Sequence, residues 1–147
     1  MDKSLSISFG TPEHGWLPVD LNFGDYNINF DASDVLNDPV NELCETILGL
    51  QNNKSGEITW WLEPGAYFFL LEKKDQSFTL TISETDDLHP DHGEIDRKLI
   101  KTITGDYKQI VTPFKSAIKQ FCAQVYEEKH WPFNCDKNKL NSLLADT

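Results

Sequence analysis

The chain is short of cations, of cysteine and of long apolar runs, and each shortage excludes something. No stretch of the 147 residues approaches the ~20 consecutive apolar residues that a membrane helix needs. The opening MDKSLSISFG has neither the basic start nor the apolar stretch of a signal peptide. The expectation is therefore a cytoplasmic location with no membrane partner. Lys and Arg number 13 against 24 Asp and Glu, a formal net charge of −11. Phosphate contacts need clustered cations, so nucleic acid is not an expected partner. The three cysteines, Cys44, Cys122 and Cys135, form an odd set with no C-x-x-C spacing, and two of them fall on apolar helix stripes. That predicts reduced, mostly buried thiols and agrees with a reducing compartment.

Catalytic signatures are lacking as well. There is no G-x-S-x-G elbow, no G-x-x-x-x-G-K-[ST] phosphate loop and no G-x-G-x-x-G, and the eight glycines stand singly at turns. Cys122 and His130 lie about two helical turns apart, but the apolar neighbours of Cys122 make it a core thiol and not a nucleophile. No cofactor is expected, and the reading is closer to a non-enzyme than to an enzyme.

What is present is ordinary for a folded chain: 39% hydrophobic and 25% charged residues, at a length that one continuous core can hold. One domain spanning 1–147 is expected. Apolar residues alternate at Leu5, Ile7 and Phe9, at Val19, Leu21 and Phe23, and at Tyr26, Ile28 and Phe30, which predicts three strands with one wet face each. Gly24-Asp25 marks a tight antiparallel turn between the second and third. Val40, Leu43, Cys44, Ile47 and Leu48 recur at helical spacing, with Asp38 as the cap and Pro39 at the first helical position, predicting a helix over 39–50.

Strands are then expected at 57–62, 66–73, 77–84 and 98–104. The run AYFFLL marks the second of these as a central strand, buried on both faces or covered by Trp side chains. A second long helix follows, on Ile110, Val111, Phe114, Ile118, Phe121, Cys122 and Val125. Pro113 either opens it or kinks one that begins near Asp106. A short helix is expected over 137–145. The predicted class is α+β: a single twisted antiparallel sheet in the order βββ-α-ββββ-α, with the two main helices on one face and Trp16 with the N-terminal strands on the other.

Two constellations stand out. Asp86, Asp87, His89, Asp91, His92 and Glu94 crowd one loop, which reads first as a solvated acidic segment. Its acidic members supply a field for a basic partner. Within it, His89, Asp91 and His92 are of the types that bind zinc or manganese. Trp60, Trp61 and Tyr67 crowd the sheet. Neighbouring strand positions face opposite ways, so Trp60 and Trp61 cannot enter the same core unless a bulge intervenes.

The stretches S-D-V-x-x-D-P (33–39) and W-x-x-E-P-G-x-Y (60–67) resemble a family of small uncharacterised bacterial α+β proteins. That resemblance covers roughly residues 17–84. By size, charge and architecture the chain is also similar to bacterial toxin-immunity proteins, which implies a protein partner and no catalytic residue. In physical terms Glu63-Pro64-Gly65 reads as a type II turn, and Asp34 and Asp38 as capping groups.

These readings converge on a non-enzymatic cytoplasmic protein-binding module of immunity type. It binds a basic protein through Asp86, Asp87, Asp91 and Glu94, with Trp60, Trp61 or Tyr67 as an anchor where exposed. The alternatives are a metal-assisted hydrolase built on His89, Asp91 and His92, and a structural homo-oligomer.

Overall fold

The computed structural model describes residues 4–86 and 97–145. Strands β1 (Leu5–Phe9), β2 (Trp16–Phe23) and β3 (Tyr26–Ser33) precede helix α1 (Pro39–Leu50). Strands β4 (Gly56–Trp61), β5 (Ala66–Lys74), β6 (Ser77–Thr85) and β7 (Lys98–Gly105) follow, and then helices α2 (Tyr107–Cys122) and α3 (Lys137–Leu144).

The seven strands do not form the single sheet expected. They divide into a three-stranded sheet, β1-β2-β3, and a four-stranded sheet, β4-β5-β6-β7, both antiparallel. Period-two alternation fixes which face of a strand is wet, but not which strands beyond its hairpin partner it joins. The N-terminal sheet also covers a different face from the one expected. Its inward rings Phe9 and Phe30 meet Trp60, and Phe30 also meets Phe69, while Phe114 of α2 packs on that same Phe69. The small sheet and α2 thus cover one face of the large sheet together. The small sheet crosses it from Phe30, against Tyr67, to Tyr26, 5.7 Å below the Lys101 ammonium of β7.

Helix α1 has the expected bounds. The Asp38 side chain accepts from Asn41 N–H, Pro39 occupies the first turn, and Val40, Leu43, Cys44, Ile47 and Leu50 are buried. Its start is pinned to β4, along which it runs. Asn37 Nδ2 donates to Thr59 O and to Glu42 Oε2, each at 2.9 Å, and Thr59 N–H donates to Glu42 Oε1 at 3.1 Å.

Helix α2 settles the proline question. It starts at Asp106 in a capping box with Gln109, and Pro113 lies inside it. Reciprocal satisfaction of two terminal donors, with the buried stripe Ile110–Phe114–Ile118–Phe121, outweighs the lost N–H of one proline. Lys115 on the same helix is buried, and its ammonium donates to Tyr107 Oη at 2.7 Å.

Cys122 and Cys135 are joined by a disulfide and only Cys44 is free. This corrects the expectation of three reduced thiols, so the cysteine count no longer bears on the compartment. The bridge ties the end of α2 to the segment that carries the fully buried Trp131 and leads into α3.

Candidate functional site

One end of the molecule gathers the turns of both sheets. On the small sheet, Trp16 at the start of β2 is paired with Ser33 at the end of β3. On the large sheet, Ala66 at the start of β5 is paired with Trp61 of β4 and Thr85 of β6. The two ends are joined directly: Ser33, fully buried, donates its hydroxyl to the Glu63 carboxylate and accepts from Val35 N–H at 3.1 Å. The 34–36 loop is tied to the 13–16 turn as well, because Asp34 N–H donates to Gly15 O at 3.0 Å. Gly15 N–H donates to His130 O and His14 N–H to His130 Nδ1, so the segment before Trp131 backs the same turn.

Several residues here adopt backbone conformations that side chains rarely take. His14 (φ 51°), Glu63 (φ 45°), Gly15 (φ 86°) and Gly65 (φ 84°) all lie in the left-handed region. A methyl group at Gly65 would stand 2.5 Å from Thr85 O, so glycine is required there for space as well as for φ. The Glu63–Pro64 bond is cis and Leu62 N–H closes the turn on Gly65 O. Proline thus takes the third position, and the turn is not the type II arrangement that the residue types suggest.

Burial pushes the Asp34 carboxyl above its usual range, and the neighbouring Glu63 charge pushes the same way, while a backbone hydrogen bond opposes both. Beside this carboxyl stand exposed apolar side chains. Trp16, Val35 and Leu36 are 38%, 68% and 53% exposed, three of the five large hydrophobic side chains that stand exposed among the described residues. Trp16, Asp31 and Leu62 line one shallow pocket.

The residues expected from sequence are distributed unevenly about this end. Asp86 is described and exposed at the end of β6. Asp87, His89, Asp91, His92 and Glu94 lie outside the described residues. Trp60 is fully buried between the sheets and stands in the core, not at the surface. Trp61 faces the other way and is half-buried, as the alternation requires. Tyr67 is half-buried against Phe30. Burial holds the Tyr67 hydroxyl above its usual pKa, and the charge of Glu84 adds to it. Among the described residues no group of three His, Cys, Asp or Glu is placed to hold a metal ion.

Sequence reasoning missed Trp16, Val35, Leu36 and Leu62 as surface groups. A signal was present: Val35 and Leu36 are apolar residues inside the turn-rich stretch DASDVLNDP, where no strand or helix period calls for them.

No protein-family model matches the chain, and no curated protein matches it either. Among solved structures, it is similar in fold to a chain of a "CdiA-CT/CdiI toxin and immunity complex from Enterobacter cloacae". The two share 15% identity at a TM-score of 0.52, over 78% of this chain and 99% of that one. At that identity the likeness is one of fold.

Proposed function

We propose that this chain acts by binding a protein, as an immunity-type module in the cytoplasm that captures a basic partner through an acidic surface. The observation that carries the reading is the fold it shares with a chain of a toxin and immunity complex. The net charge of −11 supports the choice of a basic partner, since opposite fields speed and orient encounter. Asp86, with Asp87, Asp91 and Glu94 beyond it in sequence, contributes to that field, and the half-buried Trp61 and Tyr67 are its candidate aromatic anchors.

A pull-down from a lysate of the native cells, at low and at high salt, tests the reading. Retention of one basic protein that elutes as salt rises is the expected result. Retention of neutral or acidic proteins only, indifferent to salt, would sink it.

A further inference from the structure

The end of the molecule built from the 13–16, 33–36 and 62–65 turns has a chemistry that neither the fold nor the net charge dictates. Segments 13–16, 31–37, 61–66 and 85–86 contain five carboxylates, Glu13, Asp31, Asp34, Glu63 and Asp86, and no Lys or Arg; the cation beside them in the sheet is Lys98 of β7, in register with Glu84. Among the described residues three acidic side chains pair with Lys or Arg: Glu57 with Arg97 at 2.7 Å, Glu45 with Lys139 at 2.8 Å and Glu127 with Lys129 at 3.1 Å. Within these segments, among the described residues, the single contact of that kind is His14 with Glu13, at 3.9 Å. The same segments carry three exposed apolar side chains, Trp16, Val35 and Leu36, a patch of the kind that marks an interaction surface.

The fit is to one kind of side chain. The pocket of Trp16, Asp31 and Leu62 offers an indole, a carboxylate and an apolar wall together. A guanidinium is planar, stacks on an indole and pairs with a carboxylate through two parallel N–H groups, while its methylene stem covers apolar surface. A second copy of this chain would bring its own carboxylates against these and is repelled. A nucleic acid is repelled for the same reason.

We infer that this end of the molecule docks an arginine-bearing loop of a protein partner, with the guanidinium seated between Trp16 and Asp31 and apolar residues of that loop on Val35 and Leu36. The inference rests on the protein-binding reading above and gives it a location and a recognition chemistry.

The test needs no partner. The isotope-labelled protein is titrated with Nα-acetyl-arginine amide, and separately with the blocked lysine and alanine amides, following its amide and indole N–H resonances. The expected result is a saturable shift of the Trp16 indole and of the amides near Asp31, Val35 and Leu62. It should be largest for arginine, weaker for lysine and absent for alanine. Asp31→Asn and Trp16→Ala should each reduce it several-fold while the remaining resonances, which report the fold, stay in place.

Shifts spread evenly over the acidic surface, or equal for all three amides, would overturn the inference. So would movement of the same resonances when the protein alone is concentrated, since the occupant would then be a second copy. Failure here alongside a salt-sensitive basic partner in the pull-down would relocate the interface and leave the protein-binding reading standing.

Discussion

Ser33 and Glu63 stand 30 positions apart in sequence, yet the buried Ser33 hydroxyl donates to the Glu63 carboxylate and joins the open ends of the two sheets. These two residues belong to the two motif stretches singled out in the sequence, 33–39 and 60–67. The spacing within each stretch builds a helix cap or a turn, and the contact between them holds the small sheet against the large one at the candidate surface. Ser33→Ala removes the donor to Glu63 and the acceptor of Val35 N–H together. The expected cost is about 1–3 kcal/mol, read as a lower urea midpoint, with faster amide exchange at Val35. An unchanged midpoint would mean that the two sheets are held elsewhere.

Two glycine-to-alanine changes should move stability in opposite directions. Gly65 sits at φ 84° with no room for a methyl group against Thr85 O. Gly65→Ala is therefore expected to destabilise by more than ~1 kcal/mol. Gly49 lies within α1, and a methyl group there would rest 3.6 Å from Lys54 Cβ, an ordinary contact. Gly49→Ala should stabilise by roughly 0.5–1 kcal/mol. Thermal unfolding of the two variants side by side checks both signs.

The disulfide gives a thiol count that is simple to measure. Cys122–Cys135 closes a loop with a sequence separation of 13, for which the chain-entropy argument gives a stabilisation of about 3 kcal/mol. Reduction should lower the unfolding temperature accordingly. Burial pushes the remaining thiol, Cys44, up to about 11, with the Asp38 charge adding to the effect. The folded protein at pH ~8 should show no thiol reactive to Ellman's reagent, and the unfolded, unreduced protein should show one. Three reactive thiols on unfolding without reductant would contradict the pairing.

Two carboxyls at the α1–α3 contact should titrate in opposite senses. Burial raises Asp38 above its ordinary 3.8, partly offset by the hydrogen bond from Asn41 N–H. Its contribution therefore favours the fold below the ordinary value and is lost as pH rises through the raised one. Glu45 accepts from Lys139 Nζ, and that hydrogen bond, with the Lys139 charge, lowers it below its ordinary 4.5. Its contribution is present above the ordinary value and is lost as pH falls through the lowered one. Lys139 is raised by the same bond, as a single pair requires. A carbon-detected NMR titration of the side-chain carboxyls reads both midpoints, and Lys139→Met should return Glu45 to its ordinary range.

Much of this architecture was legible in the sequence because its signals are local. Asp38-Pro39 with a five-residue apolar stripe specifies α1 to its ends, since cap, proline and periodicity all agree. Gly24-Asp25 specifies the β2–β3 hairpin, whose register closes on Phe23 and Tyr26. The central place of AYFFLL was also readable, and Phe68 and Phe69 are buried on opposite faces of β5.

What was not legible depends on residues distant in sequence. The division into two sheets turns on how Phe30 meets Trp60 and Tyr67. The Cys122–Cys135 pairing turns on the return of the chain after α2. The candidate surface was partly visible, since Asp86 lies at its edge and the acidic excess was plain. Its apolar centre was not: Trp16 and Leu62 meet in one pocket across the two sheets, at the end where Ser33 and Glu63 join them.

The central claim is that the carboxylate-rimmed end receives a basic protein, and the association rate with the captured partner tests it most directly. That rate is measured across a range of salt for the native chain and for the double reversal Asp31→Lys, Asp86→Lys, whose two sites are both exposed. At low salt the variant should associate at least about tenfold more slowly, with a shallower salt dependence and an unchanged amide spectrum. Equal rates and equal salt slopes for the two proteins would contradict the claim.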